Sequence, residues 1–404
     1  MYKFSIGSWV RLLLFSFLLV ALAGTLMRYK MAFPLPWMPQ KNMQYAHSHL
    51  AFISWMSQSL FVLLLHRLQH WLAPQQVHRL QAWLLLHWAL GLLMFVVFLI
   101  YGYRLPAIVL SSLAFICQIR LVVLLWPEVG SLSWLECFSW RGAFLYLLLS
   151  ALGTIGLAIS KVWIPHSQAL YLASLYWYLH FQYNGWFFSA LLALVLPIVL
   201  PAGASQRTQT AVKLLLISVA PGYTLSILWL RQPAIAYALP IMAIALQTAA
   251  AVPLASQGLK AIHRQAALPL HTRAILYGIL TAILAKLLLQ LLSVVPAISQ
   301  FAFGFRPVVI AYLHLVLLCI LSSSVLMLLL RSQFAAAAYW PRIWPWLITF
   351  IFINQCLLGI QAITSIRYWH FPIINVWLLV VGVAITLLII ILIIQHHKAL
   401  RQPL

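Results

Sequence analysis

Long apolar runs separated by short polar punctuation repeat along the whole chain. A membrane-crossing helix needs about 20 predominantly apolar residues. On that scale twelve runs qualify, at residues 9–27, 47–69, 79–101, 105–126, 141–161, 170–199, 211–230, 234–255, 272–294, 307–330, 343–364 and 374–395. They are numbered here as spans one to twelve. Turn-forming clusters fall between them, as in Pro34-Leu35-Pro36 and Pro39 after span one, Pro201-Ala202-Gly203 after span six, and Pro341 and Pro345 around the start of span eleven. The connecting loops stay under about 20 residues, too short to bury a core of their own. The pattern predicts an all-α, polytopic membrane protein with 12 transmembrane helices, a single transmembrane domain over residues 1–404. Trp9 to Met27 runs directly into Arg28-Tyr29-Lys30 without a small-residue cleavage site, so it is expected to be a retained span rather than a signal peptide.

Composition sharpens this picture. The chain is 65% hydrophobic and 6% charged, against roughly 25% charged in soluble domains. The formal charge of +22 is carried by Lys and Arg scattered a few per loop, with no basic block, so nucleic acid is not an expected partner and a lipid bilayer is. With a cytoplasmic N-terminus, fifteen of the 24 basic residues fall on inner segments and eight on outer ones, leaving Lys286 inside span nine. That bias predicts both termini on the cytoplasmic side. There is no Asp, and the two Glu, Glu128 and Glu136, share one loop. Paired-carboxylate catalysis and an intramembrane carboxylate relay are thereby set aside. Cys117, Cys137, Cys319 and Cys356 show no C-x-x-C spacing and read as small buried hydrophobes.

Chemistry concentrates in histidines. Tyr45-Ala46-His47-Ser48-His49-Leu50-Ala51-Phe52 opens span two, His180-Phe181-Gln182-Tyr183-Asn184-Gly185 lies within span six, and Tyr312-Leu313-His314-Leu315 within span ten. Imidazole is a common ligand of haem iron and copper, and burying it in hydrocarbon is costly unless a metal or hydrogen bond satisfies it. His47 and His49, two residues apart, point roughly 200° from each other on a helix. Only one of them can face a given interior site, and the sequence leaves open which. Tyr183, Asn184 and Lys286 are further polar groups inside spans, and an intramembrane charge is a functional candidate by default. His87 in span three reads as a weaker candidate. His66, His70, His78, His263, His271, His396 and His397 fall at helix ends and read as interfacial, with His396-His397-Lys398 as a tail.

Twelve spans with both termini inside, a His at the head of span two, a His in span six and a His in span ten resemble subunit I of the haem-copper oxidase superfamily, particularly its nitric oxide reductase branch. His47-Ser48-His49-Leu50-Ala51-Phe52 is similar to that family's axial-ligand segment. Tyr312-Leu313-His314-Leu315-Val316-Leu317 resembles its H-F-H-Y-V-L pattern, with His314 at the low-spin haem ligand and Tyr312 where the high-spin ligand stands. His180-Phe181-Gln182-Tyr183-Asn184-Gly185 resembles the reductases' H-x-x-x-E-G, with Asn184 replacing the Glu. Leu214 through Pro233, which covers most of span seven and its exit, holds no His, so two of the family's three copper ligands are missing. A lone His180 makes no closed copper site, and copper is not expected.

The resemblance therefore implies an oxidase-like bundle that keeps one low-spin haem, b-type, between spans two and ten. Its axial ligands are one of His47 and His49 together with His314. Arg367, in Arg367-Tyr368-Trp369-His370, stands where the family places propionate-binding arginines, with Arg104 and Arg306 as further outer cations. The implied role is electron transfer or gas sensing in a bacterial inner membrane, with a quinol or an electron-donor protein as partner. Two alternatives stay open from the same residues. One is an oxidoreductase acting on oxygen or nitric oxide through an unconventional site, including a high-spin haem on Tyr312. The other is a haem-free secondary transporter with His180, Tyr183, Asn184 and Lys286 as its polar pocket.

Overall fold

The computed structural model describes residues 4–164, 166–230, 233–264, 268–334, 342–369 and 371–399. Lys3, Arg231 and Arg401 of the charge count, Pro341, and His370 of the Arg367 segment lie outside the described residues. Every regular element among them is helical. This is the outcome hydrocarbon enforces, because a helix satisfies its backbone N–H and C=O groups within itself. Eleven helices are long and apolar enough to cross a membrane. The remaining expected span, seven, is a broken pair, Gln206–Ile217 and Val219–Ile227, bent by 40°.

The chain forms two compact units, Met1–Glu128 with Ser322–Leu404, and Val129–Leu321. In the first, span one (Ile6–Ala32) packs along span twelve (Ile373–Lys398) and against span two (Gln40–Leu68). Thr25 and Thr386 share a hydrogen bond of 3.1 Å, and Trp88 of span three donates to Ser16 at 2.9 Å. Hydroxyl and indole groups thus join helices whose other contacts are apolar. His396, expected in a tail, is instead buried in the last turns of the span-twelve helix, which continues to Ala399.

In the second unit, spans five (Trp134–Ser160) and six (Gln168–Val199) form a close antiparallel pair. Ser133 caps span five, accepting from the Glu136 backbone at 3.5 Å, while its hydroxyl donates to the Glu136 carboxylate at 2.7 Å. An acidic residue in a first turn also complements the helix dipole. A helix at Pro296–Gly304 precedes span ten where the hydrophobic pattern marks only a connection.

Spans two, six and ten are set apart by burial. Within their most apolar windows, 83%, 61% and 61% of residues are buried, against 39% or less in every other unbroken span. The three histidine-bearing helices are the ones most enclosed by protein.

Candidate functional site

Each of these three helices changes its hydrogen-bonding pattern just after a candidate histidine. A π segment occupies Ala51–Ser57 after His49, Phe181–Phe187 after His180, and Leu315–Ser322 after His314. They are the only π segments among the described residues. A π turn accommodates an extra residue within an α-helix and is found mostly where function requires it. Buried polar groups gather on them. Trp55 donates to Ser322 at 2.9 Å and stacks on Phe17, Gln58 donates to the Leu84 carbonyl at 2.9 Å, and Gln182 donates to Ser150 at 2.9 Å.

The histidines divide by which ring nitrogen the protein engages. In His47 the Nδ1–H donates to the Val20 carbonyl at 3.0 Å, in His49 to the Tyr45 carbonyl at 2.9 Å, and in His314 to the Ile310 carbonyl at 2.8 Å. A carbonyl only accepts, so in each neutral ring the proton sits on Nδ1 and the lone pair on Nε2. This is the outer-shell arrangement that orients a metal-ligating imidazole. All three rings are half-buried, retaining accessible surface.

His47 and His49 differ in what holds them. His49 bonds within its own helix and stacks on Phe98 of span three, with ring centroids 4.2 Å apart. His47 is held by a different helix: span one supplies the Val20 carbonyl and, one turn on, Gly24, whose missing side chain leaves room for the imidazole. A Cβ at residue 24 would lie 3.3 Å from His47 Cε1. A further turn along that face is Arg28, which donates to Gln361 at 3.3 Å. Neither Gly24 nor Arg28 stood out in the sequence. The signal was there as an i, i+4, i+8 row of Val20, Gly24 and Arg28 on one face of an apolar helix.

His180 follows the opposite pattern and is 2% exposed. Its Nε2–H donates to the Val219 carbonyl at 2.8 Å, and its Nδ1 accepts from Asn184 Nδ2 at 3.2 Å. Both ring nitrogens are used, and the acceptor they serve belongs to the broken span seven. Pro221 lacks an N–H and its ring crowds the carbonyl four residues back, so the helix cannot run straight through. The Tyr146 hydroxyl donates to the Leu216 carbonyl and His180 to the Val219 carbonyl, replacing bonds the break removes. In this geometry His180 and Asn184 splint span seven, and neither presents a lone pair for a metal.

Several of the remaining candidates lie near one another in the second unit: Tyr183 hydrogen-bonds Asn184 and neighbours Tyr312, and Lys286 neighbours His180. His87 is fully buried, with Nδ1 2.6 Å from Gln58 Oε1. Its Nε2 is sealed in without a partner. Lys286 is 6% exposed, donates to Gln290 at 2.8 Å and lies 5.1 Å from the Phe188 ring centre. Tyr183 is buried and Tyr312 half-buried. Arg367 caps the end of span eleven and is exposed, as are Tyr368 and Trp369. Cys117 and Cys319 are buried, and all four cysteines are free thiols.

Among the described residues no three His, Cys, Asp or Glu side chains converge on a metal-sized site. Neither a scan of known family models nor a search of curated proteins finds a match for this chain.

Proposed function

We propose that this multi-pass membrane protein is a haemoprotein built on the plan of haem-copper oxidase subunit I, with a b-type low-spin haem whose axial ligands are His47 and His314. The observation that carries the reading is the shared Nδ1-to-carbonyl anchoring of these two rings, the hydrogen bond by which a protein orients a metal-ligating imidazole. Their place beside π segments on well-enclosed helices supports it. His47 is preferred over His49 because a neighbouring helix fixes its ring through Val20 and Gly24, whereas His49 is absorbed in stacking on Phe98. The excess of Lys and Arg on one set of loops supports cytoplasmic termini and a bacterial inner-membrane location.

When bound, such a haem supplies reversible one-electron exchange, suiting electron transfer from a quinol or donor protein, or gas sensing. The chain's own contribution is to orient the two imidazoles and hold the proton on Nδ1. Arg28 and Arg367 are cations available to carboxylate groups at the ends of spans one and eleven. Copper is not part of the proposal, since His180 has both nitrogens committed.

The test is an optical spectrum of protein purified after haem-replete expression. A sharp reduced α-band of b-type haem is expected, lost in His47→Ala and in His314→Ala and retained in His49→Ala. A colourless wild-type protein overturns the proposal.

A further inference from the structure

Spans eight (Ile235–Arg264) and nine (Leu270–Leu292) enclose a groove of about 410 Å³ within the second unit, remote in sequence from the histidine helices. Its floor is a row of positions four apart on span eight, Ala251, Ala255, Leu259 and His263, flanked by Ser256 and Lys260 on the adjoining row. The small side chains of Ala251, Ala255 and Ser256 create the hollow, and Leu284 of span nine forms the far wall. The lining is almost wholly apolar until its last turn, where Lys260 and His263 end it.

Length and charge together define the occupant. From Ala251 to Leu259 the apolar row advances about 12 Å, most of the ~15 Å depth of one leaflet's hydrocarbon. An apolar channel of nearly that depth, closed by the Lys260 ammonium and the His263 imidazole, complements a lipid acyl chain joined to an anionic headgroup. No carboxylate competes for that headgroup. The chain's two acids are Glu128 and Glu136, and Glu136 bonds to Ser133. Neighbouring groups leave the polar end available: Arg264 is drawn aside to the Val199 carbonyl at 2.9 Å, and Tyr277 backs the His263 ring edge-on at 6.2 Å. Both Lys260 and His263 are exposed.

We propose that this groove is a binding site for one anionic glycerophospholipid, its acyl chain lying along Ala251, Ala255 and Leu259 and its phosphate on Lys260 and His263. The site stands independently of the haem reading.

The experiment is native mass spectrometry of the full chain released from nanodiscs of dioleoylphosphatidylglycerol or dioleoylphosphatidylcholine. One retained phosphatidylglycerol per chain is expected, well in excess of phosphatidylcholine. Lys260→Gln, on an exposed position, lowers phosphatidylglycerol retention about fivefold, the effect of one basic group at a lipid surface. Ala255→Trp fills the groove and removes retention while leaving Lys260 and His263 in place. Each variant is compared only if its elution profile and Tm match the wild type. Equal retention of the two lipids, or retention unchanged in both variants, overturns the site.

Discussion

The Nε2–H of His180 donates to the Val219 carbonyl across 2.8 Å, joining span six to the point where span seven breaks. Removing the imidazole strands a buried carbonyl that the broken helix cannot satisfy. His180→Ala is expected to cost about 1–3 kcal/mol, the penalty for an unpaired buried polar group, measured by denaturant unfolding in detergent. Haem content per chain should stay at the wild-type level. Loss of the haem band with stability intact would make His180 a ligand instead.

Gly222 lies against the same ring. A Cβ there would stand 3.3 Å from His180 Cε1 and 3.5 Å from Gln247 Nε2. Gly222→Val is therefore expected to destabilise in the same direction as His180→Ala. The two changes combined should cost less than their sum, because both act on one contact. A double-mutant cycle reads the coupling, and strict additivity would separate the two residues.

In the first unit Gly24 makes room for His47. Gly24→Val forces the imidazole off the Val20 carbonyl. The expected outcome is a loss or broadening of the haem band comparable to that of His47→Ala, while His49→Ala leaves the spectrum in place. A normal spectrum in Gly24→Val would show that the ring position set by span one is immaterial.

Gly185, inside the π segment of span six, faces Tyr146, and a Cβ would meet Tyr146 Cβ at 2.5 Å. That atom is the root of the side chain and cannot swing away. Gly185→Ala is expected to lower Tm more than an alanine placed at a glycine with open space around it such as Gly258, where a Cβ meets nothing within 4 Å. Overpacking of this kind typically costs about 1–3 kcal/mol.

Lys286 is a buried amine with Gln290 as its hydrogen-bond acceptor and no carboxylate within its unit except Glu136, which is held by Ser133. Taking a charge out of water without a counter-charge opposes folding. Lys286→Met is expected to raise Tm without changing the haem spectrum, read by thermal unfolding in detergent. A fall in Tm would mean that the amine carries a stabilising interaction.

Apolar run length made the spans legible, because hydrocarbon leaves the backbone little choice but helix. It placed the eleven unbroken spans, yet it treated the bent pair at span seven as continuous. Run length measures hydropathy and is blind to one missing N–H at Pro221. The histidine helices stood out for a related reason: imidazoles are rare where water is absent. What each ring does depended on a carbonyl from a distant part of the chain, Val20 for His47 and Val219 for His180, and no local pattern encodes that pairing. His396 shows the same limit, since a polar terminal sequence gave no sign that its helix continues and buries the ring. The π segments were hidden because a 3.6-residue reading of Ala51–Ser57 is as apolar as a 4-residue one.

Those π segments make the three histidine helices unusually tolerant of one particular change in chain length. Each holds a surplus residue that the surrounding α-helix does not need. Deleting one residue from Ala51–Ser57 would let span two close into regular α-helix with every backbone bond intact. The wide turn is what absorbs the surplus, so Gln58 to Leu68 would keep the faces they present now, with Gln58 still beside His87 and Leu60, Leu64 and Leu68 still buried. The same deletion made in a regular stretch of the helix would turn everything beyond it by about 100°. The surplus residue is a spare link, and taking it out alters only the turn that follows His49.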